Sequence, residues 1–107
     1  MSYVVTVLYP HREGATFDHK YYLDKHMPLV DRHWKPAGLQ KWEIVDFDFS
    51  ADGKAPQFSV AAVLTWKDEE SSKAALAGPG GAEIVGDIVK FSSEQPIIIA
   101  GRLAATG

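Results

Sequence analysis

Tyr22 and His26 stand four residues apart in the stretch Phe17-Asp18-His19-Lys20-Tyr21-Tyr22-Leu23-Asp24-Lys25-His26-Met27-Pro28-Leu29. An imidazole titrates near neutrality and serves as general acid or base, proton relay or ligand. A phenol one helical turn earlier projects from the same face, where it can orient the ring or donate to a developing oxyanion. The spacing nominates His26 and Tyr22 as a catalytic acid–base pair. The competing explanation is that His26 bonds the free carbonyls at the end of its own helix, where a protonated ring also suits the dipole. Three further side chains are candidates for holding a ligand. Tyr9 closes an apolar strand and can line a cavity. Arg12, with His11, lies in the loop that follows, where function often collects, although a solvated loop explains both equally. Trp66 offers an aromatic face for stacking, or fills the core.

Other chemistries lack their residues. His19, His26 and His33 recur every seven residues, but Pro28 interrupts the face they would share and no acidic residue completes a ligand set, so no metal site is expected. Gly78-Pro79-Gly80-Gly81 follows a helix, and Glu83 occupies the third position of a Gly-x-Gly-x-x-Gly pattern. No phosphate cradle and no bound cofactor are expected. With zero Cys there is no disulfide, thiolate nucleophile or Cys-based metal centre. A net charge of −3 without a Lys/Arg cluster argues against nucleic acid as a partner. No run of about 18 apolar residues suggests a membrane span. The first residues, Met1-Ser2-Tyr3-Val4-Val5, carry no basic or cleavable leader, which points to a cytoplasmic protein. Asp46 and Asp48, in an otherwise apolar strand, face either a pocket or solvent.

The elements that must position these groups follow from pattern. The 107 residues suit one domain, 1–107. Tyr3 to Tyr9 is β-branched and aromatic and reads as a buried strand. Thr16 is placed to cap a helix, with Asp18 at its positive end, and Pro28 is expected to end that helix near His26. Pro28 to Trp34 forms a second short helix, stopped by Pro36 and Gly38. Leu39 to Phe49 and Phe58 to Trp66 are strands joined across Asp52-Gly53. Asp68 caps a helix interrupted at Gly78 to Gly81, and Gln95 to Leu103 is the last strand. The order βαββαβ predicts an α+β, ferredoxin-like fold with a four-stranded antiparallel sheet.

The strands carry more apolar residues than one covered face requires. Val4-Val5, Val7-Leu8, Ala61 to Leu64 and Ile97 to Ile99 are apolar on both sides. Two helical regions cover one face of such a sheet. The other would leave several hundred Å² of apolar surface open, which predicts a homodimer joined sheet to sheet.

Phe17, Tyr21, Tyr22, His26, Pro28 and Leu29, after a strand ending at Tyr9, form a pattern that resembles the EthD family. That family is named for a gene cluster degrading ethyl tert-butyl ether and belongs to the dimeric α/β-barrel superfamily. Beyond Trp34 the likeness rests on the order of elements. The resemblance implies a dimeric α/β barrel with a sheet-lined cavity, and a role in catabolism on a small hydrophobic molecule bearing a carbonyl or phenol. It admits cofactor-independent oxidation, isomerisation or cyclisation, with His26 as the proton-transfer group and Tyr22 its partner. The alternatives are a non-catalytic ligand-binding or accessory protein of an oxygenase system, and a purely structural dimer.

Overall fold

The computed structural model describes residues 2–107. Strand β1 (Tyr3–Pro10) is followed by a continuous helical stretch made of α1 (His19–Tyr21), a π-helical turn (Tyr22–His26) and α2 (Met27–Trp34). Strands β2 (Leu39–Asp46) and β3 (Phe58–Trp66) follow, then α3 (Glu69–Ala77), α4 (Pro79–Asp87), a 3₁₀ turn (Ile88–Lys90) and β4 (Ile97–Arg102). The sheet order is β2-β3-β1-β4 and every neighbouring pair is antiparallel. Each βαβ crossover therefore spans one intervening antiparallel strand, the ferredoxin-like arrangement. Among the described residues no helix is long and apolar enough to cross a membrane.

Register sorts the strand residues onto two faces. Val5 pairs with Leu64 and Ala100, and Val7 with Ala62 and Ile98, so these side chains share the face under the helices. There Val5, Tyr9, Val60, Leu64 and Trp66 pack with Met27, Val30, Trp34, Ile84 and Ile88 into the core. Thr6, Val63 and Ile99 line up on the opposite face, flanked by Val4, Leu8 and Ile97. No helix covers that side. Strand β4 pairs only with β1, and all six of its residues are exposed.

Three local expectations are corrected. Pro28 does not end the first helix near His26. The backbone widens into the π-turn instead, with the Met27 N–H bonding the Tyr22 carbonyl, five residues back. Pro28 then falls in the first turn of α2, where its missing N–H costs little. A wider turn also displaces the carbonyl that a proline ring would strike on a regular helix. Thr16 is not the cap either. Asp18 caps, its Oδ1 accepting from the Tyr21 N–H at 3.0 Å. Thr16 is engaged elsewhere: its N–H donates to Ser93 Oγ at 2.8 Å and its carbonyl accepts from the Ser93 N–H at 3.1 Å. Finally, β2 stops at Asp46 rather than Phe49, and β4 runs from Ile97 to Arg102 rather than from Gln95 to Leu103.

Other features follow the sequence. Asp68 caps α3, Oδ1 accepting from the Ser71 N–H at 2.7 Å, and Glu69 pairs with Lys73 at 2.6 Å. Gly53 takes a φ of +80° in the β2–β3 loop, which a side chain would resist. At the α3–α4 junction, a Cβ on Gly81 would lie 2.4 Å from the Leu76 carbonyl oxygen, so only glycine permits the chain to turn there.

Candidate functional site

The π-turn decides what the first helical stretch presents. On an α-helix, at 3.6 residues per turn, side chains five apart point about 140° away from each other. In a turn closed by bonds to the fifth residue they return to the same side. Tyr21 and His26 thus converge on one carboxylate, Asp87, delivered by the last residue of α4. The Tyr21 hydroxyl donates to Asp87 Oδ1 at 2.8 Å, and His26 Nδ1 lies 2.9 Å from Oδ2. Only 3% of His26 and 8% of Asp87 is exposed. Phe91 covers the imidazole with its centroid 4.5 Å away, and Tyr22 stacks on it at 5.4 Å with the planes 16° apart.

Burial and hydrogen bonding fix the charge state. Burial pushes the Asp87 carboxyl up, but the bonds from His26 and Tyr21, with Lys90 Nζ 3.6 Å away, outweigh it and hold the group below the ordinary carboxylate value. Burial pushes the His26 imidazole down, and the Asp87 bond and charge recover only part of that. The state consistent with both is an ionised carboxylate beside a neutral ring. An ionised carboxylate only accepts, so Nδ1 carries the proton and donates to Asp87. Nε2 is left as a bare lone pair and bonds no described residue. Burial also pushes the phenols of Tyr9 and Tyr22 well above their ordinary value, so both keep their O–H as donors.

His26 borders a small apolar cavity between the sheet and the helices of a single chain. Its walls come from β1 (Val5, Val7, Tyr9), β3 (Ala62, Leu64) and the helical stretches (Tyr22, Met27, Val30, Trp34, Ile84, Ile88), with Ile98 and Val85 at the exposed margin. The free volume is about 30 Å³, room for a water or two. A larger molecule enters by displacing side chains. Met27 is unbranched and pliable, and Val85 and Ile98 are 47% and 44% exposed, so the margin is the part of the wall easiest to move. The cavity is thus walled by sheet and helices together and lies on the covered face, not between two sheets.

The five candidate residues separate. His26, Tyr22 and Tyr9 line the cavity together, the phenol-bearing rings of Tyr9 and Tyr22 5.9 Å apart edge to face. Trp66 lies beneath it, fully buried with its ring 5.5 Å from Trp34 and both indole N–H groups without a partner. Arg12 is exposed on the surface in an ion pair with Glu94 at 2.5 Å and takes no part in the wall. Tyr22 lies on the same side as His26, but stacking is its contact. The bond that orients the ring comes from Asp87, and there is no free helix end at His26 for the ring to cap.

Asp87 and the hydroxyl of Tyr21 are the residues that spacing rules missed. The signal for Asp87 was a lone acid within the apolar helical run Ile84-Val85-Gly86-Asp87-Ile88-Val89. Tyr21 was hidden because its convergence with His26 exists only in the π-turn. His19 and His33 have their own carboxylates, Asp46 at 3.2 Å and Glu83 at 2.5 Å, and among the described residues no three potential ligands come together. Asp46 is exposed, as is Asp48.

No family model and no curated relative matches the sequence. Solved structures do. An EthD-like protein from Ralstonia eutropha JMP134 is 31% identical, with 99% of this chain and 95% of that one covered at a TM-score of 0.87. An ethyl tert-butyl ether (EthD) family protein from Bacillus halodurans C-125 is 22% identical over 95% and 98% of the two chains, with a TM-score of 0.75. A dimeric ferredoxin-like protein of unknown function from Jannaschia sp. CCS1 shares the fold at 15% identity, with 95% and 98% covered and a TM-score of 0.64.

Proposed function

Because the chain belongs to the EthD-like family, we propose that it is a homodimer whose helix-side cavity binds and transforms a small hydrophobic molecule, with His26 as the acid–base group. The observation that carries this is His26 itself: 3% exposed, on the wall of an apolar cavity, with one ring nitrogen held and the other unbonded. An imidazole exposed on the surface, or more than about 6 Å from any cavity, would have had no reach for proton transfer. Tyr22 and Tyr9 supply neutral O–H donors toward an oxygen that gains charge as the proton leaves. Polar side chains on an otherwise apolar wall favour chemistry over simple sequestration. Proton transfer at an apolar site suits cofactor-independent isomerisation, cyclisation or oxidation of a carbonyl or phenol compound.

The dimer is supported by the apolar face of Val4, Thr6, Leu8, Val63, Ile97 and Ile99, and by the dimeric state stated for the Jannaschia fold relative. Two measurements test the proposal. Mass spectrometry of protein extracted under mild conditions should find a retained apolar compound, and light scattering at micromolar concentration should give twice the chain mass. A chain that stays monomeric sinks the dimer. A panel of phenols and ketones in which no member raises the melting temperature sinks the cavity function.

A further inference from the structure

Asp87 is costly where it stands. It is a buried carboxylate on the last residue of α4, at the negative end of that helix's dipole, where a cation would be the stabilising choice. It is nonetheless held on both oxygens, by Tyr21 and by His26, through a π-turn that brings residues five apart onto one side. Such turns are frequent at functional sites. We infer that Asp87 is the positioning residue of this cavity: it turns the Nδ1–H of His26 toward itself, so that Nε2 is the working base and the site takes neutral weak acids rather than anions. This rests on the cavity function proposed above and adds the group that sets its direction of proton transfer.

The step balances without any co-reactant. A ligand O–H, or a C–H next to a carbonyl, gives its proton to Nε2. The ring becomes an imidazolium whose Nδ1–H stays on the Asp87 carboxylate, which stabilises the new positive charge. The electron pair left on the ligand oxygen accepts from Tyr22 or Tyr9. A ligand that arrives already charged meets the opposite situation. The wall of the cavity offers no cation, and the nearest buried charge is the Asp87 carboxylate, so an anion loses its water without gaining a partner. Lys90, on the 3₁₀ turn, lies 64% exposed with its ammonium against Asp87 and does not line the cavity.

The groups that set the His26 titration are Asp87 on α4, Lys90 on the 3₁₀ turn, Tyr21 and Tyr22 on the helix, and Tyr9 on β1. Imidazole ¹⁵N NMR reads the outcome directly. In the unmodified protein at neutral pH, Nδ1 is expected to be protonated and Nε2 bare. Asp87→Asn can offer an amide donor to Nδ1, so a mixture containing Nε2–H is expected, and the imidazolium should become harder to form as the carboxylate's pull is lost. Phenol, used as the probe, should shift the Nε2 resonance saturably, while benzoate should leave it unmoved. Phenol affinity should fall roughly 10- to 100-fold in Asp87→Asn, the range for losing a charged hydrogen bond. A folded Asp87→Asn protein with an unchanged tautomer overturns the inference. Where that variant does not fold, the unmodified protein decides alone: a proton on Nε2, or benzoate binding as tightly as phenol, overturns it. The ligand-free tautomer tests Asp87 and the phenol titration tests the cavity, so the two can fail separately.

Discussion

The two faces of the sheet are made from nearly the same residue types, yet only one of them contains buried polar groups. Under the helices, Val5, Ala62 and Leu64 stand beside Tyr9, His26 and Asp87, and every ionisable group there has a partner or a cavity to face. On the open side, Val4, Thr6, Leu8, Val63, Ile97 and Ile99 form an apolar field whose nearest charges, Lys41 and Glu43, are confined to the β2 edge. The difference teaches that polarity on the covered face is bought at a desolvation cost and must be satisfied residue by residue, whereas the open face asks only for shape. Chemistry belongs to the first, association to the second.

The largest expected effect tests the covered face. His26→Ala should lose roughly 100- to 10,000-fold in turnover of whichever compound the screen identifies, the usual range for removing a general acid or base. Its mass by light scattering should stay that of the parent protein. A variant that keeps its rate, or that changes its assembly state, breaks the division between the faces.

Next comes the open face. Val63→Asp puts a charge midway between Thr6 and Glu43 on the neighbouring strands, at the middle of the proposed contact. A buried, unpaired charge costs several kcal/mol, so the dimer should dissociate or the chain unfold. A stable variant that still sediments as a dimer would move the interface elsewhere.

A smaller effect is read through pH. Both His26 and Asp87 have values below their ordinary ones, so each contributes stability at higher pH that is lost on acidification. Loss should begin as pH falls below 6.5, where the unfolded chain takes up a proton that the buried ring resists. It should deepen below 3.8, as the unfolded chain's carboxyls protonate ahead of Asp87. Melting curves across this range should show both phases, and His26→Gln should remove the first. A melting temperature that is flat until Asp87 protonates would refute a neutral buried imidazole.

The smallest effect serves as the control. Lys41 and Glu43 pair at 3.6 Å, both well exposed, at the β2 edge of the open face. Replacing either with Ala should leave melting temperature and mass unchanged, since exposed pairs of this kind often contribute nothing measurable. A clear loss of dimer would extend the contact onto β2 and redraw its boundary.

How much of this was legible depended on whether the deciding interaction was local. The strand order, the Asp68 cap, the Glu69–Lys73 pair and the excess of apolar residues on β1, β3 and β4 follow from neighbours in the sequence, and all were readable there. The end of the first helix was not. Pro28 is locally a breaker, and what overrode it is a π-turn stabilised by its tertiary contacts, including those of Tyr22 and His26 with Phe91. The cap was misassigned because Thr16 and Asp18 are both good caps, and Ser93, 77 residues away, claims the first. Asp87 lies 61 residues from His26, a distance at which no spacing rule operates. Arg12 and Trp66 suited a ligand by residue type, but position placed one at the surface and the other beneath the wall.

The π-turn carries a consequence for how such a chain tolerates insertion and deletion. It holds one residue more than an α-helix needs for the same rise, and that surplus sets the rotational phase of everything after it. Removing a single residue between Tyr22 and His26 would let the helix regularise at little cost to its backbone bonds. His26 would then swing by about 100° around the axis, away from Asp87 and off the cavity wall. Pro28 would meanwhile be returned to a regular helix interior, where its ring collides with the preceding turn. The surplus residue is thus held in place twice, once by the site and once by the proline. A change of length at this point is harder to absorb than almost any change of side chain.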